Sequence, residues 1–146
     1  MSGTVAGAFK AAIYAKCLTL FPDPVQVAYT APLTYLADEI VGLGDITASL
    51  DPATMGTPRS REEVATLDLI ISVYAGGDDQ QAVTERAYAM LATLEADLRS
   101  DYSVGNLVRW ATVSGHDLAE APSVTDGVVV GRVAEIAATI TYQQRV

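Results

Sequence analysis

The only histidine of the chain, His116, lies beside a carboxylate in the segment Ser114-Gly115-His116-Asp117. A histidine paired with a carboxylate can serve as a general base near neutral pH. Adjacent residues of a strand point to opposite faces, however, so His116 and Asp117 meet only if the chain turns between them. Because no other residues of the sequence complete a catalytic set, we interpret His116 as a solvated loop residue.

Three pairs of adjacent acids are the next candidates: Asp38-Glu39, Glu62-Glu63 and Asp78-Asp79. Two opposed carboxylates can divide the acid and base roles of a hydrolase. A simpler interpretation is favoured for each pair. The first two place charge at strand edges, where it aids solubility, and the third can cap the helix that follows it. Asp78-Asp79 also lacks the further alternating acids that a calcium-binding loop requires.

The motifs of phosphate, metal and nucleophile sites are incomplete. Gly42-Leu43-Gly44 and Gly76-Gly77 resemble parts of phosphate-binding loops, but no Gly-Lys-Ser/Thr follows either, and neither completes a dinucleotide fingerprint, so we predict turns. A single histidine and a single cysteine, Cys17, exclude a paired-histidine zinc motif, a cysteine-cluster metal site and an internal disulfide. No Gly-x-Ser-x-Gly elbow is present. We therefore predict no catalytic, cofactor-binding or metal-binding residues, and a protein that is not an enzyme.

Composition limits the kind of partner. The 146 residues are 50% hydrophobic and 18% charged, which suits one domain with a substantial core and excludes wholesale disorder. The net charge of −9 repels phosphate backbones and disfavours nucleic-acid binding. The apolar stretch Val5–Phe21 follows no basic residue and is interrupted by Lys10 and Lys16. We expect neither a signal peptide nor a membrane span there, and we expect a soluble intracellular protein.

The first half of the chain predicts a helix, two strands and a long loop. Apolar residues recur at helical steps at Val5, Phe9, Ile13, Cys17 and Leu20, and prolines follow. Cys17 on this stripe is interpreted as a small buried hydrophobe. Val25–Tyr29 and Asp38–Ile46 are predicted strands. The segment Thr47–Arg61 is rich in Pro, Gly, Ser and Thr, and we predict a long exposed loop.

The second half predicts a central strand, Leu67–Val73, then the turn Gly76-Gly77 and a long helix, Gln80–Arg99. The apolar stripe of this helix comprises Val83, Ala87, Met90, Leu91, Leu94 and Leu98. Gly105–Val113 predicts another strand, His116–Asp126 an acidic turn region, and Val128–Gln144 a last strand, since its β-branched residues outweigh its alanines. We expect these two final strands to be antiparallel neighbours beside the central strand.

Residues 1–146 are thus predicted to form a single α+β domain. Its sheet is mostly antiparallel and packs against one long amphipathic helix, with a further helix at the N-terminus. The unit Glu62–Asp101, a strand, a glycine turn and the long helix, fixes this core. We find no internal repeat and no low-complexity tract.

The order of these elements carries a resemblance. The chain has Val25-Gln26-Val27-Ala28-Tyr29 with Pro32 behind it, and Leu67-Asp68-Leu69-Ile70-Ile71-Ser72-Val73-Tyr74 with the Gly76-Gly77 exit. After the long helix come Arg99-Ser100-Asp101-Tyr102-Ser103-Val104-Gly105 and, at the C-terminus, Thr139-Ile140-Thr141-Tyr142-Gln143-Gln144-Arg145. Together these segments resemble the tail terminator, or tail completion, proteins of long-tailed bacteriophages. The resemblance covers most of the chain.

The resemblance implies a structural virion protein without a cofactor. Members of that family assemble as a hexameric ring that caps the tail tube, ends its polymerisation and offers the surface that joins the head. The implied partners are further copies of the chain, the tail tube protein and the head–tail connector. The implied location is the tail or neck of the virion, after assembly in the host cytoplasm. An acidic ring also suits a conduit through which genomic DNA passes without specific binding, because like charges repel.

Two alternatives stay open. Another neck component, a head-closure or connector protein, shares the small size and the ring assembly. A small α+β enzyme or ligand-binding domain, with a carboxylate pair and His116 at its site, belongs to a different class. The enzyme hypothesis predicts that His116→Ala abolishes an activity while leaving assembly intact.

Overall fold

The structure is a computed structural model that describes residues 3–30, 37–52 and 61–146, with the backbone alone at Pro52. Its elements are, in chain order, α1 (Ala6–Leu20), β1 (Gln26–Ala28), β2 (Glu39–Pro52), β3 (Arg61–Gly76), α2 (Gln80–Ser100), β4 (Trp110–Thr125) and β5 (Val128–Arg145). The strands form one sheet in the order β1-β2-β3-β5-β4. β1 runs parallel to β2, and the other neighbours are antiparallel. The predicted α+β class is confirmed.

Both helices pack on the same face of the sheet, which we call the helix face. Alternation along β3 places Leu67, Leu69, Ile71 and Val73 there, and all are buried. α2 contacts β3, β4 and β5, while α1 contacts β1 and β2. The six residues of the predicted α2 stripe are all buried, as are Phe9, Ile13 and Cys17 of α1. The interpretation of Cys17 as a buried hydrophobe is therefore confirmed.

α2 begins where the sequence indicates a cap. The Ala82 N–H donates to Asp79 Oδ1 at 3.0 Å, which satisfies one of the free amide groups of the first turn. Gly77 precedes it with φ +96°, a conformation that glycine adopts without strain. The turn predicted at Gly76-Gly77 is confirmed at Gly77, whereas Gly76 is the last residue of β3. The predicted capping role is confirmed for Asp79.

The predicted loop Thr47–Arg61 is wrong at both of its ends. Thr47–Pro52 continues β2, and Arg61 begins β3. The two strands pair without interruption from Ile46 opposite Leu67 to Pro52 opposite Arg61. Backbone pairing with a well-formed neighbour therefore overrides the weak strand propensity of this polar segment. Residues 53–60 lie outside the described part of the chain.

The turn predicted at Gly42-Leu43-Gly44 is also wrong, since all three residues lie within β2. The irregularity is a β-bulge, because the register with β3 shifts between Leu43 and Ile46. A Cβ atom at Gly44 would lie 3.2 Å from both the Cβ and the carbonyl oxygen of Asp68. Glycine thus allows the two backbones to approach closely at the bulge.

The C-terminal strands are longer than predicted and are joined more tightly. β4 begins only at Trp110 and continues to Thr125, so the predicted acidic turn region His116–Asp126 is strand up to its last residue. Asp126 and Gly127, with φ of +51° and +77°, form a two-residue hairpin turn. The prediction that the two final strands are antiparallel neighbours is confirmed, with β5 between β3 and β4.

Candidate functional site

The structure does not bring His116 and Asp117 together. Both lie on β4, where His116 is opposite Ala138 on the helix face and Asp117 is opposite Ala137 on the other face. His116 is exposed, as expected, but it lies in a strand and not in a loop. Its Nδ1 is 3.3 Å from the hydroxyl oxygen of Tyr88, and the two rings meet edge to face with centroids 5.3 Å apart.

The acidic pairs are separated in the same way. Glu39 forms a bidentate ion pair with Arg86 of α2, with oxygen–nitrogen distances of 2.7 and 3.0 Å, and this hydrogen bond raises the pKa of Arg86. Asp78 pairs with Arg132 at 2.6 Å, while its neighbour Asp79 caps α2. Surface charge and capping thus account for these two pairs, as interpreted from the sequence.

Glu63 departs from that interpretation, because its side chain is fully buried on the helix face. Its Oε1 accepts hydrogen bonds from the Tyr142 hydroxyl at 2.8 Å and from the Val5 N–H at 3.1 Å, and its Oε2 accepts one from the Thr4 hydroxyl. The carboxylate therefore satisfies the N-terminal end of α1, where negative charge is favourable. Burial raises the pKa of Tyr142, and the hydrogen bond to Glu63 raises it further. This arrangement ties α1 to β3 and β5 and keeps the Glu63 carboxylate away from solvent.

A signal in the sequence could have identified this role. Glu63 has the same parity as Leu67, Leu69 and Ile71, so the alternation of the central strand, continued toward the N-terminus, places it on the buried face. Glu62, on the opposite face, instead forms an ion pair with Arg109 at 3.1 Å.

Cys17 and Lys16 of α1 also have structural roles. Cys17 is fully buried, and burial raises the pKa of its thiol to about 12, so little reactive thiolate forms near neutral pH. Lys16 contacts Asp97 at 2.7 Å and Asp101 at 2.8 Å. Burial opposes its charge, but the hydrogen bonds to Asp101 and Asp97 outweigh burial and raise the pKa of Lys16. α1 is thereby fastened to the C-terminal end of α2.

The second face of the sheet, which we call the open face, faces away from both helices. The registers place a row of threonines across it, and this row comprises Thr47, Thr66, Thr141 and Thr112. The same registers place Asp51, Asp68, Asp117 and Glu135 on this face, together with Glu62. None of the first four takes part in an ion pair within the described ranges. These residues give the open face a row of hydroxyl groups and an acidic character.

The described residues form neither a metal site nor a membrane-spanning helix. Within residues 3–30, 37–52 and 61–146, no group of three or more His, Cys, Asp or Glu side chains is placed to hold a metal ion. Among the described helices, none is long and apolar enough to cross a membrane. The prediction of no catalytic, cofactor-binding or metal-binding residues stays a prediction.

No family model matches the chain, and no curated protein matches it. Among solved structures, the chain is similar to one described as "Virion of native gene transfer agent (GTA) particle", with 17% identity and a TM-score of 0.44. The alignment covers 97% of this chain and 99% of that one. A likeness at this level carries no functional argument.

Proposed function

We propose that the chain is a structural virion protein of the tail terminator kind. It forms a ring that caps the tail tube, ends tube polymerisation and offers the surface that joins the head. The sequence resemblance motivates this proposal, and the acidic open face is the structural observation that carries it. The open face lines the channel of the ring, and the two helices face outward.

The charge of the open face fits this orientation. Asp51, Asp68, Asp117 and Glu135 lie on it without ion pairs to described residues. Double-stranded DNA carries about one negative charge per 1.7 Å of its axis, so a wall with unpaired carboxylates repels it along its length. A channel must let DNA slide through without retaining it, and a wall rich in lysine or arginine would do the opposite.

Electron microscopy of particles assembled without this chain tests the role. Overlong tails are expected, because tube growth then lacks its stop. Tails of normal length that stay detached from filled heads contradict the terminator role, and they indicate instead a head-closure or connector protein.

Charge reversal tests the orientation of the open face. Asp68→Lys combined with Asp117→Lys is expected to slow genome ejection from assembled particles, since both lysines attract passing phosphates. Glu85→Lys is the matched control, because Glu85 is exposed on α2 and lies on the outer side in this orientation. Equal ejection by the double variant, the control and the unmodified protein would show that the open face does not line the channel.

A further inference from the structure

Two apolar surfaces of the domain face solvent at opposite edges of the sheet. The first is the end of the β4–β5 hairpin, which we call the hairpin tip. It comprises Val124 and Val129, which are 54 and 49% exposed and lie on one side of the hairpin, and Val128 and Val130, which are 63 and 41% exposed and lie on the other side. Pairing of β5 with β3 ends at Gly131 opposite Gly76, so the hairpin tip extends beyond the three-stranded part of the sheet. Exposed apolar clusters of this kind commonly mark interaction sites.

The second surface is the outward side of α1, which we call the α1 face. It comprises Gly7, Ala8, Ala11, Ala15 and Leu18, and Leu18 is 49% exposed. A helix at a protein surface normally carries charged residues on its outer side, whereas a helix that is apolar all round is normally buried all round. α1 contains no acid, and its charged residues are Lys10 and Lys16. Its composition is thus typical of a helix that contacts protein on its outward side as well as on the side that packs on the sheet.

The two surfaces are complementary in charge. The hairpin turn carries the acid Asp126, and Glu120 lies further along β4. Arg132, the only lysine or arginine of segment 115–132, is ion-paired with Asp78. α1 has the opposite charge, because it contains two lysines and no acid. The Lys10 ammonium lies 4.4 Å from the centre of the Tyr29 ring and takes part in none of the ion pairs of the described residues. Lys10 extends from α1 to the 43% exposed Tyr29, which follows β1 at this edge of the sheet.

The positions of the two surfaces determine the kind of contact. α1 lies over β1 and β2 at one edge of the sheet, and the hairpin forms the other edge. A surface and its complement on opposite sides of one chain join copies head to tail, and such contacts close into rings when the rotation between copies permits. We propose that the hairpin tip of one copy packs on the α1 face of the next, with Asp126 of the tip near Lys10. This inference rests on the proposed function and names the contact that builds the ring.

Paired variants test the contact in the full-length chain. Val128→Asp with Val129→Asp changes the hairpin tip, and Ala11→Glu changes the α1 face. Tyr102→Asp is the control, because Tyr102 is 61% exposed and follows the C-terminal end of α2, far from the hairpin tip. Each test variant is expected to weaken self-association, measured by sedimentation, at least tenfold. The control variant should self-associate as the unmodified chain does, and none of the variants should change the urea midpoint.

Mixing the two test variants gives the sharper result. Each variant keeps one intact surface, so the mixture is expected to form a one-to-one dimer and nothing larger. Normal rings from either variant alone would overturn the inference. Binding of the unmodified chain to anionic lipid vesicles that is lost in the hairpin variant would also overturn it, because the tip would then be a membrane contact.

Disulfide cross-linking tests the same contact if the purified chain associates too weakly for sedimentation to detect. A chain carrying both Val129→Cys and Ala11→Cys, concentrated and oxidised, is expected to give a ladder of disulfide-linked oligomers. The yield should exceed that of Tyr102→Cys at least tenfold, and the buried Cys17 should not contribute. No ladder above the control overturns this contact. If rings still form through another surface, or tails still end normally with the hairpin variant, the proposed function stands without it.

Discussion

Removal of the Glu63 carboxylate is expected to destabilise the domain more than any change to the other acidic pairs. Glu63 is fully buried and accepts hydrogen bonds from Thr4, Val5 and Tyr142. In Glu63→Ala the Thr4 hydroxyl and the Val5 N–H can regain water, because they lie at the start of α1, where Thr4 is exposed. The Tyr142 hydroxyl cannot regain water in this way, because Tyr142 is fully buried.

The magnitude follows from these contacts. An unsatisfied buried hydroxyl costs about 1–3 kcal/mol, and loss of a helix cap costs about 1 kcal/mol. We therefore expect Glu63→Ala to lower the free energy of unfolding by about 3 kcal/mol. Tyr142→Phe removes one hydrogen bond and leaves the carboxylate with its other two donors, so it should cost about 1–1.5 kcal/mol.

Urea denaturation measures both values, and a double-mutant cycle isolates the coupling. Glu62→Ala is the matched control, because this neighbour lies on the open face and pairs with the half-exposed Arg109, so its loss should cost less than about 1 kcal/mol. A loss below about 1 kcal/mol for Glu63→Ala, or no coupling to Tyr142, would refute the account of this carboxylate.

Four further outcomes are expected. The pKa of Tyr142 is raised in the folded state, so its contribution to the free energy of unfolding is fully present below the unfolded pKa of about 10 and is lost as the pH rises above that value. The difference in stability between the unmodified protein and Tyr142→Phe should therefore shrink from pH 9 to about pH 11, and a constant difference would contradict this. Cys17, with its pKa raised to about 12, should react with a thiol reagent only in urea, and rapid labelling of the folded protein would show that it is accessible. Asp79→Ala should cost about 1 kcal/mol through loss of the α2 cap, and Asp78→Ala less, as urea midpoints will show. Gly131→Ala would place a Cβ atom 2.5 Å from a Tyr74 ring carbon and 2.6 Å from the Ala75 carbonyl oxygen. We therefore expect the free energy of unfolding, measured by urea denaturation, to fall by about 2 kcal/mol, and an unchanged midpoint would mean that the strands separate easily there.

Long periodic segments predicted the core well. The α2 stripe from Val83 to Leu98 and the alternation from Leu67 to Val73 matched the buried positions, because hydrophobic periodicity reports which side of an element faces the core. Local patterns predicted the polar strands poorly. Thr47–Asp51 and nearly all of His116–Thr125 are exposed on both sides, so they lack apolar alternation. They are strands because they pair with β3 and β5.

The sequence predicts the hairpin tip but not the open face. The Asp126-Gly127 dipeptide, followed by three valines, is a strong hairpin signal at the end of the segment that we predicted to be an acidic turn region. The acidic open face could not be predicted, because it depends on the registers that bring Asp68, Asp117 and Glu135 from three strands to one side. Such juxtapositions between distant segments are set by tertiary pairing and not by local spacing.

The central claim is that this chain stops the growth of a tail tube. The most direct measurement adds purified protein to polymerising tail tube protein and follows tube length by electron microscopy. We expect growth to stop on addition, with a ring of this chain at the tube end. Tubes that continue to lengthen, with no density added at either end, would contradict the account.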